Sequence, residues 1–198
     1  MNPHFIFNTI GSISADLDKN SIEKSRALLQ SFSSLMRANL EFAEQEKISL
    51  EEEINFLNDY LNLEAFRLNQ GLEFEIKYDE DLDIDFIEIP SMIIQAYVEN
   101  AIKQGITPLK NKGKISIKFT ERDDALVCII SDNGVGRKQA GVNKIDSISN
   151  LGKSTTINAK RLSLLRSNES ELLDVSYTDL ESQDGTSLGT KVEITIKI

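Results

Sequence analysis

Tryptophan is absent from these 198 residues, and cysteine, histidine and proline are nearly so, at one, one and three. A single cysteine, Cys128, excludes an internal disulfide, so the fold must hold by burial, and the chain suits a reducing compartment. Long apolar runs are also missing. Nothing approaches the roughly 20 residues that span a bilayer, and no signal peptide is visible. Positive charge is in deficit: 22 lysines and arginines face 32 aspartates and glutamates, a formal net charge of -10. Such a surface repels a nucleic-acid backbone and an anionic membrane face, which excludes both as main partners. An anionic small ligand would need local relief from lysines, backbone N–H groups or a metal. What is present is enough apolar material, 40% of residues, for at least one real core in one large domain or two small ones.

No proline stands between Pro3 and Pro90, and apolar residues up to about 70 recur at three- and four-residue steps, which predicts helices. Ile6, Ile10, Ile13 and Leu17 form one seam, and Leu28, Phe32, Leu35 and Met36 a second. A third segment carries Leu50, Ile54, Leu57, Leu61 and Leu68 and is opened by Ser49 with Glu52 three residues on, a capping box. Asp18 to Ser21 supplies the first turn. Amphipathic helices of this kind cannot close a core alone, and pairing with a second copy as a four-helix bundle is the economical solution.

After Gly71 the period changes. Leu72, Phe74 and Ile76 alternate as a strand, and Pro90-Ser91 then opens a helix bearing Met92, Ile93, Ala96 and Ile102. Two strands, Lys114 to Phe119 and Leu126 to Ile130, are joined by a charged turn at Arg122 to Asp124. Gly134 to Ser154 reads as a loop, Thr156 to Leu165 as a short helix, and Val175 to Tyr177 and Lys191 to Ile198 as the last strands. This order predicts an α+β fold: residues 1–70 as a helical module, then 72–198 as a sandwich of a mixed sheet with helices on one face.

Three constellations carry chemistry. His4 lies about 200° around its helix from the seam, so it faces away from the core, and Asn8 one turn on could fix its tautomer. A neutral imidazole with an ordinary pKa of about 6.5 is a usable phosphoryl acceptor; a solvent-facing histidine is the plain alternative. Glu99, Asn100 and Lys103 offer oxygen ligands for a hard cation and, one turn later, an ammonium for phosphate oxygens; an ordinary polar helix face has the same composition. Asp132-Asn133-Gly134-Val135-Gly136 follows an apolar strand, where a carboxylate can accept from an adenine amino group and glycines admit a close ligand; a β-turn is the other reading. A dinucleotide fingerprint lacks its third glycine, at Gln139, and no G-x-x-x-x-G-K-[ST] loop exists. Gly152 could hinge a lid over phosphates, with Lys153, Ser154 and Thr155 as donors, and Thr190 enters the last strand beside Gly189.

In this order the motifs resemble the catalytic region of the sensor histidine kinases of the LytS type. Their N-P-H-F-h-F-N-x-h-x-x-I reads here as Asn2-Pro3-His4-Phe5-Ile6-Phe7-Asn8-Thr9-Ile10-Gly11-Ser12-Ile13. Leu50 with Glu53, Tyr60-Leu61, and Glu64 with Arg67 look like the family's L-x-x-E-h, Y-L and E-x-x-R stretch. Glu99 to Lys103 looks like its nucleotide-binding helix, and Asp132 to Gly136 like its D-N-G-x-G loop. The resemblance implies a Bergerat-type ATP-binding fold. It implies that His4 accepts the γ-phosphoryl group, Asn100 holds Mg²⁺, Lys103 contacts phosphate, Asp132 reads adenine, Gly134 and Gly136 shape the pocket, and Gly152 sits in the lid. It further implies a homodimer through the N-terminal helices, transfer to a response-regulator aspartate, and a cytoplasmic region whose sensing and membrane-anchoring parts lie upstream. Two departures stand out: Gln104 where the family has histidine, and a second glycine box reduced to Gly152. A nucleotide-binding dimeric scaffold without phosphotransfer is the alternative these departures leave open, and a free-standing ATPase a third.

Overall fold

Three helices come first: α1 (Pro3–Leu17), α2 (Ile22–Glu44) and α3 (Leu50–Arg67). The computed structural model describes residues 3–17, 22–68, 71–109, 111–139, 173–182 and 184–198. The seam expected on α1 is rotated. Ile13 is 2% exposed and Ile6 packs against the core, but Ile10 is 44% exposed and Thr9 is buried in its stead. At about 100° per residue, Ile6, Thr9 and Ile13 span an arc of about 60°, and Ile10 joins the exposed Phe7 on the flank beside it. The seam on α2 stands, with Leu35 fully buried and Leu28 and Phe32 packed on the core.

Helix α3 starts where its capping box places it. Glu52 N donates to Ser49 Oγ at 3.1 Å and Ser49 N to Glu52 Oε2 at 2.8 Å, satisfying two helix-end donors reciprocally. Its buried residues occupy several faces, Glu53, Phe56, Leu57, Tyr60, Leu63 and Glu64 among them, because it lies between α2 and the rest of the core. Phe42 and Phe56 tie it to α2, with ring centroids 5.9 Å apart.

Two short strands went unread in the sequence: β1 (Lys47–Ser49) pairs antiparallel with β3 (Glu88–Pro90). Three residues are too few for alternation to show. Pro90 therefore ends a strand instead of opening a helix, and Met92 turns left-handed at φ 61° before α4 (Ile93–Asn100) begins. A π-helical segment, Ala101–Ile106, continues α4.

The main sheet consists of β2 (Leu72–Tyr78), β4 (Gly113–Arg122), β5 (Ala125–Asp132), β6 (Leu173–Glu181) and β7 (Ser187–Lys197), in the order β2-β4-β5-β7-β6. The β2–β4 pair is parallel and the other pairs antiparallel, so the sheet is mixed. The charged hairpin turn works because Asp123 and Asp124 both take positive φ, 51° and 57°, matching the twist of the strands. Ile115, Ile117 and Phe119, Cys128 and Ile130, and Val192, Ile194 and Ile196 face the helices and are buried. The opposite face carries paired charges such as Lys77–Glu75 and Lys191–Glu193. The result is the α+β arrangement of N-terminal helices and a mixed five-stranded sheet, with one buried cluster running from Leu35 of α2 to Ile196 of β7. Gly136–Gln139 forms a helical turn, α5, inside the expected loop. The rest of that loop, the expected turn at 18–21 and the expected helix at 156–165 lie outside the described residues.

Candidate functional site

Where α4 gives way to its π segment, the helix passes over the ends of β5, β6 and β7 and leaves a cavity. Asn100, Gln104, Gly105, Asp132, Gly136, Arg137, Tyr177 and Thr190 line it. Sheet register brings the strand residues together: Asp132 on β5 stands opposite Thr190 on β7, which stands opposite Asp179 on β6. Asp132 is 6% exposed, and burial pushes its pKa up to about 6, against the opposing pull of N–H groups from Gly134 and Thr190. Gly134 N donates to Asp132 Oδ1 at 2.8 Å, turning the chain sharply after the strand.

Glycine at three points is a matter of space. A Cβ on Gly134 would lie 2.4 Å from Gly105 Cα, so the D-N-G-x-G loop and the π segment touch backbone to backbone. Val135 N donates to Gly105 O at 3.1 Å across this seam. A Cβ on Gly189, which holds φ 122°, would lie 1.8 Å from Asp132 O. The π turn, closed by Thr107 N donating to Ile102 O at 2.7 Å, widens the helix where Gly105 meets the loop; such turns recur at functional sites.

Behind the cavity lies a line of buried polar contacts. Helix α4 has no side-chain cap of its own; Glu53 on α3 caps it instead, accepting from Met92 N at 3.2 Å and Gln95 N at 3.0 Å. Burial pushes Glu53 up to about 7, and the backbone donors of Gln95, Met92 and Ile94 resist the shift. Gln95 Nε2 in turn donates to Glu99 Oε1 at 2.8 Å, and Lys103 Nζ to Glu99 Oε2 at 2.7 Å. Glu99 thus spends both oxygens on its own helix. On α3, Tyr60 donates to Glu64 and Arg67 forms a close ion pair with it, at 3.2 and 2.6 Å. The tyrosine hydroxyl is pushed well above its ordinary pKa by burial and then by Glu64 and Glu99.

Of the residues singled out in the sequence, Asn100, Asp132, Gly136 and Thr190 meet at the cavity, and Gly134 packs directly behind it. Glu99 and Lys103 pair with each other on the adjoining turn. The backbone of His4 lies in the first turn of α1, with Asn8 half-buried one turn on; the His4 side chain lies outside the described residues, as do Gly152 and Lys153 to Thr155. Sequence reasoning gave no site role to Arg137, Tyr177, Gly105 or Gly189. Arg137 sits immediately after the glycine motif, a signal that could have been used; a lone tyrosine in an alternating strand gives none. Among the described residues no three His, Cys, Asp or Glu gather as a metal site, and no helix is long and apolar enough to cross a membrane.

Comparison with known proteins agrees with the motif order. A family model described as histidine kinase matches residues 1–72. The sensor protein LytS of Bacillus subtilis is 38% identical over 136 residues, 69% of this chain and 22% of that protein. The sensor protein LytS of Oceanobacillus iheyensis is 33% identical over 187 residues, 90% of this chain and 31% of that one. The chain therefore spans less than a third of the length of either relative. In fold it is similar to the histidine kinase domain of the blue-light activated histidine kinase EL346 from Erythrobacter litoralis, with a TM-score of 0.52 at 14% identity over 89% of this chain and 82% of that one. With the N-P-H-F motif, the E-N-A-I-K helix and the D-N-G-V-G loop in the same chain, this protein belongs to the sensor histidine kinases of the LytS type.

Proposed function

We propose that this chain is the catalytic region of a two-component sensor kinase, in which residues 1–70 form the dimerising phosphoacceptor module and 72–198 bind Mg-ATP. The observation that carries the reading is the convergence of Asn100, Asp132, Gly136 and Thr190 on one cavity, from positions up to 90 residues apart. Asp132 accepts from the adenine amino group, and the glycine contacts let the backbone approach the ligand. Asn100 fits a hard cation as its single protein ligand: it lines the cavity, whereas both Glu99 oxygens are engaged, and Mg²⁺ commonly takes one or two protein oxygens with phosphates and waters for the rest. Bound with the nucleotide, that cation would neutralise charge on the phosphates. Lys103, held by Glu99, stands one turn beyond Asn100 to meet phosphate oxygens.

In the reaction, a neutral His4 ring nitrogen attacks the γ-phosphorus in line. The N–P bond forms as the bond to the β–γ bridging oxygen breaks, ADP leaves, and the imidazole N–H proton passes to water. Positioning supplies most of the rate, so the contact between α1 and the nucleotide is the step that matters. The phosphoryl group then passes to an aspartate of a response regulator. A homodimer through α1 and α2 covers the apolar side chains these helices leave exposed, including Phe7, Ile22, Leu29 and Leu40. The region works in the cytoplasm, with sensing and anchoring parts upstream. A filter assay with γ-labelled ATP tests the reading: acid-labile, base-stable label is expected, and bound nucleotide without label would favour a scaffold instead.

A further inference from the structure

We propose that Arg137 is a base-contacting residue of this cavity, its guanidinium plane forming the wall against which a purine packs; the proposal rests on the reading of the cavity as a nucleotide site. Arg137 lines the cavity together with Asp132 and Asn100. Its side chain is held on two sides. Nε donates to Asp179 Oδ1 at 2.7 Å and Nη2 to Asp179 Oδ2 at 2.8 Å, a bidentate pair, and Cζ lies 5.2 Å from the centroid of the Tyr177 ring. Only 13% of the side chain is exposed.

The sheet sets the spacing. Asp132, Thr190 and Asp179 are register partners across three neighbouring strands, so the anchor of Arg137 stands two interstrand steps, roughly 10 Å, from the Asp132 backbone. Between them lie Thr190 and, one row in, Val192 and Tyr177, all lining the same cavity. A hydrogen-bond acceptor at one end, an apolar floor and a fixed cationic plane at the other suit a flat heteroaromatic ring with an exocyclic amine.

Charge decides between base and phosphate. A guanidinium locked to a carboxylate by two hydrogen bonds is neutralised and fixed in place, so following a phosphate would cost it that pair. Its plane remains weakly hydrated and stacks well on π systems, which a lysine ammonium cannot reproduce. Lys103, on the helix that carries Asn100, is the residue proposed above to meet phosphate.

The test compares this chain with Arg137→Ala and Arg137→Lys, measuring affinity for ATP, AMP and inorganic tripolyphosphate by competition against a labelled ATP. Both substitutions are expected to weaken ATP and AMP by about tenfold and to leave tripolyphosphate unchanged, the size of a lost base-stacking contact. Loss confined to ATP and tripolyphosphate, wild-type affinity in Arg137→Lys, or no change in either variant would overturn the proposal. Should Arg137→Ala melt without cooperativity, Arg137→Gln keeps the stem and the same pattern is expected of it, to a smaller degree. Failure of the unsubstituted chain to bind ATP at all would instead sink the nucleotide reading itself.

Discussion

The cavity and helix α1 are built in opposite ways. At the cavity, backbone meets backbone: Gly134 lies on Gly105, Gly189 on Asp132, and a carboxylate from α3 caps the helix that carries Asn100. On α1 only Thr9 and Ile13 are fully buried among the described side chains, Phe7 is 75% exposed, and Gly11 has nothing within 4 Å of where a Cβ would go. The described lining of the first region comes from α4, its π segment and the strands β5, β6 and β7 with the turn after β5. The second has an apolar flank left over, as expected of a helix that is finished by a second copy. The proposed reaction on His4 needs both characters: a fixed pocket to hold the donor, and a helix whose position can change relative to it.

The sharpest break between the regions should come from His4→Gln: label from γ-labelled ATP disappears, while nucleotide affinity stays within about twofold because no residue of α1 is in the described lining of the cavity. If the substitution also abolishes binding, the two regions are not separable. Glycine substitutions come next. Gly134→Ala forces a contact that no side-chain rotation can relieve and should cost about 1–3 kcal/mol in denaturant unfolding, together with nucleotide affinity. Gly11→Ala, in open helix, should stabilise by about 0.5–1 kcal/mol. Destabilisation by Gly11→Ala would place that position in a tight interface and weaken the contrast.

Two pH measurements sharpen the account of the cavity. Glu53 titrates near 7 in the folded chain, above its ordinary 4.5, so the folded state binds the proton more tightly and stability is lost as pH rises from about 4.5 to 7. The loss amounts to about 3 kcal/mol from this group, and Glu53→Gln should flatten it in denaturant titrations at pH 5 and 7.5. An unchanged slope would mean that Glu53 is not the titrating group. Asp132, pushed up to about 6 by burial, should accept from a base amine best when ionised. Nucleotide affinity should therefore fall as pH drops below about 6 and become flat in Asp132→Asn; an affinity indifferent to pH in the unsubstituted chain would count against this role.

Much of this was legible because it is local. The capping box of α3, the alternation in β2, the apolar run of β5 and the D-N-G-V-G turn depend on neighbours in sequence, and the structure has each where the pattern put it. What escaped depends on neighbours in space. Thr9 replaces Ile10 at the buried stripe because packing on α2 and α3 fixes the rotation of α1, not the count of apolar residues. Pro90 read as a helix opener, yet Lys47 pairs with it from 43 residues earlier. Glu53 matched the family's L-x-x-E-h pattern with no role attached; only the fold shows that it caps α4 while Glu51 and Glu52 remain exposed. Arg137 and Tyr177, 40 residues apart in sequence, meet through the register of β6.

The most direct test of the central claim is to incubate the chain with Mg-ATP and map the phosphorylated peptide by mass. Phosphate on the peptide carrying His4, labile in acid and stable in base, is the expected result. Phosphate on any other residue, or none from a preparation that demonstrably binds ATP, would contradict the account.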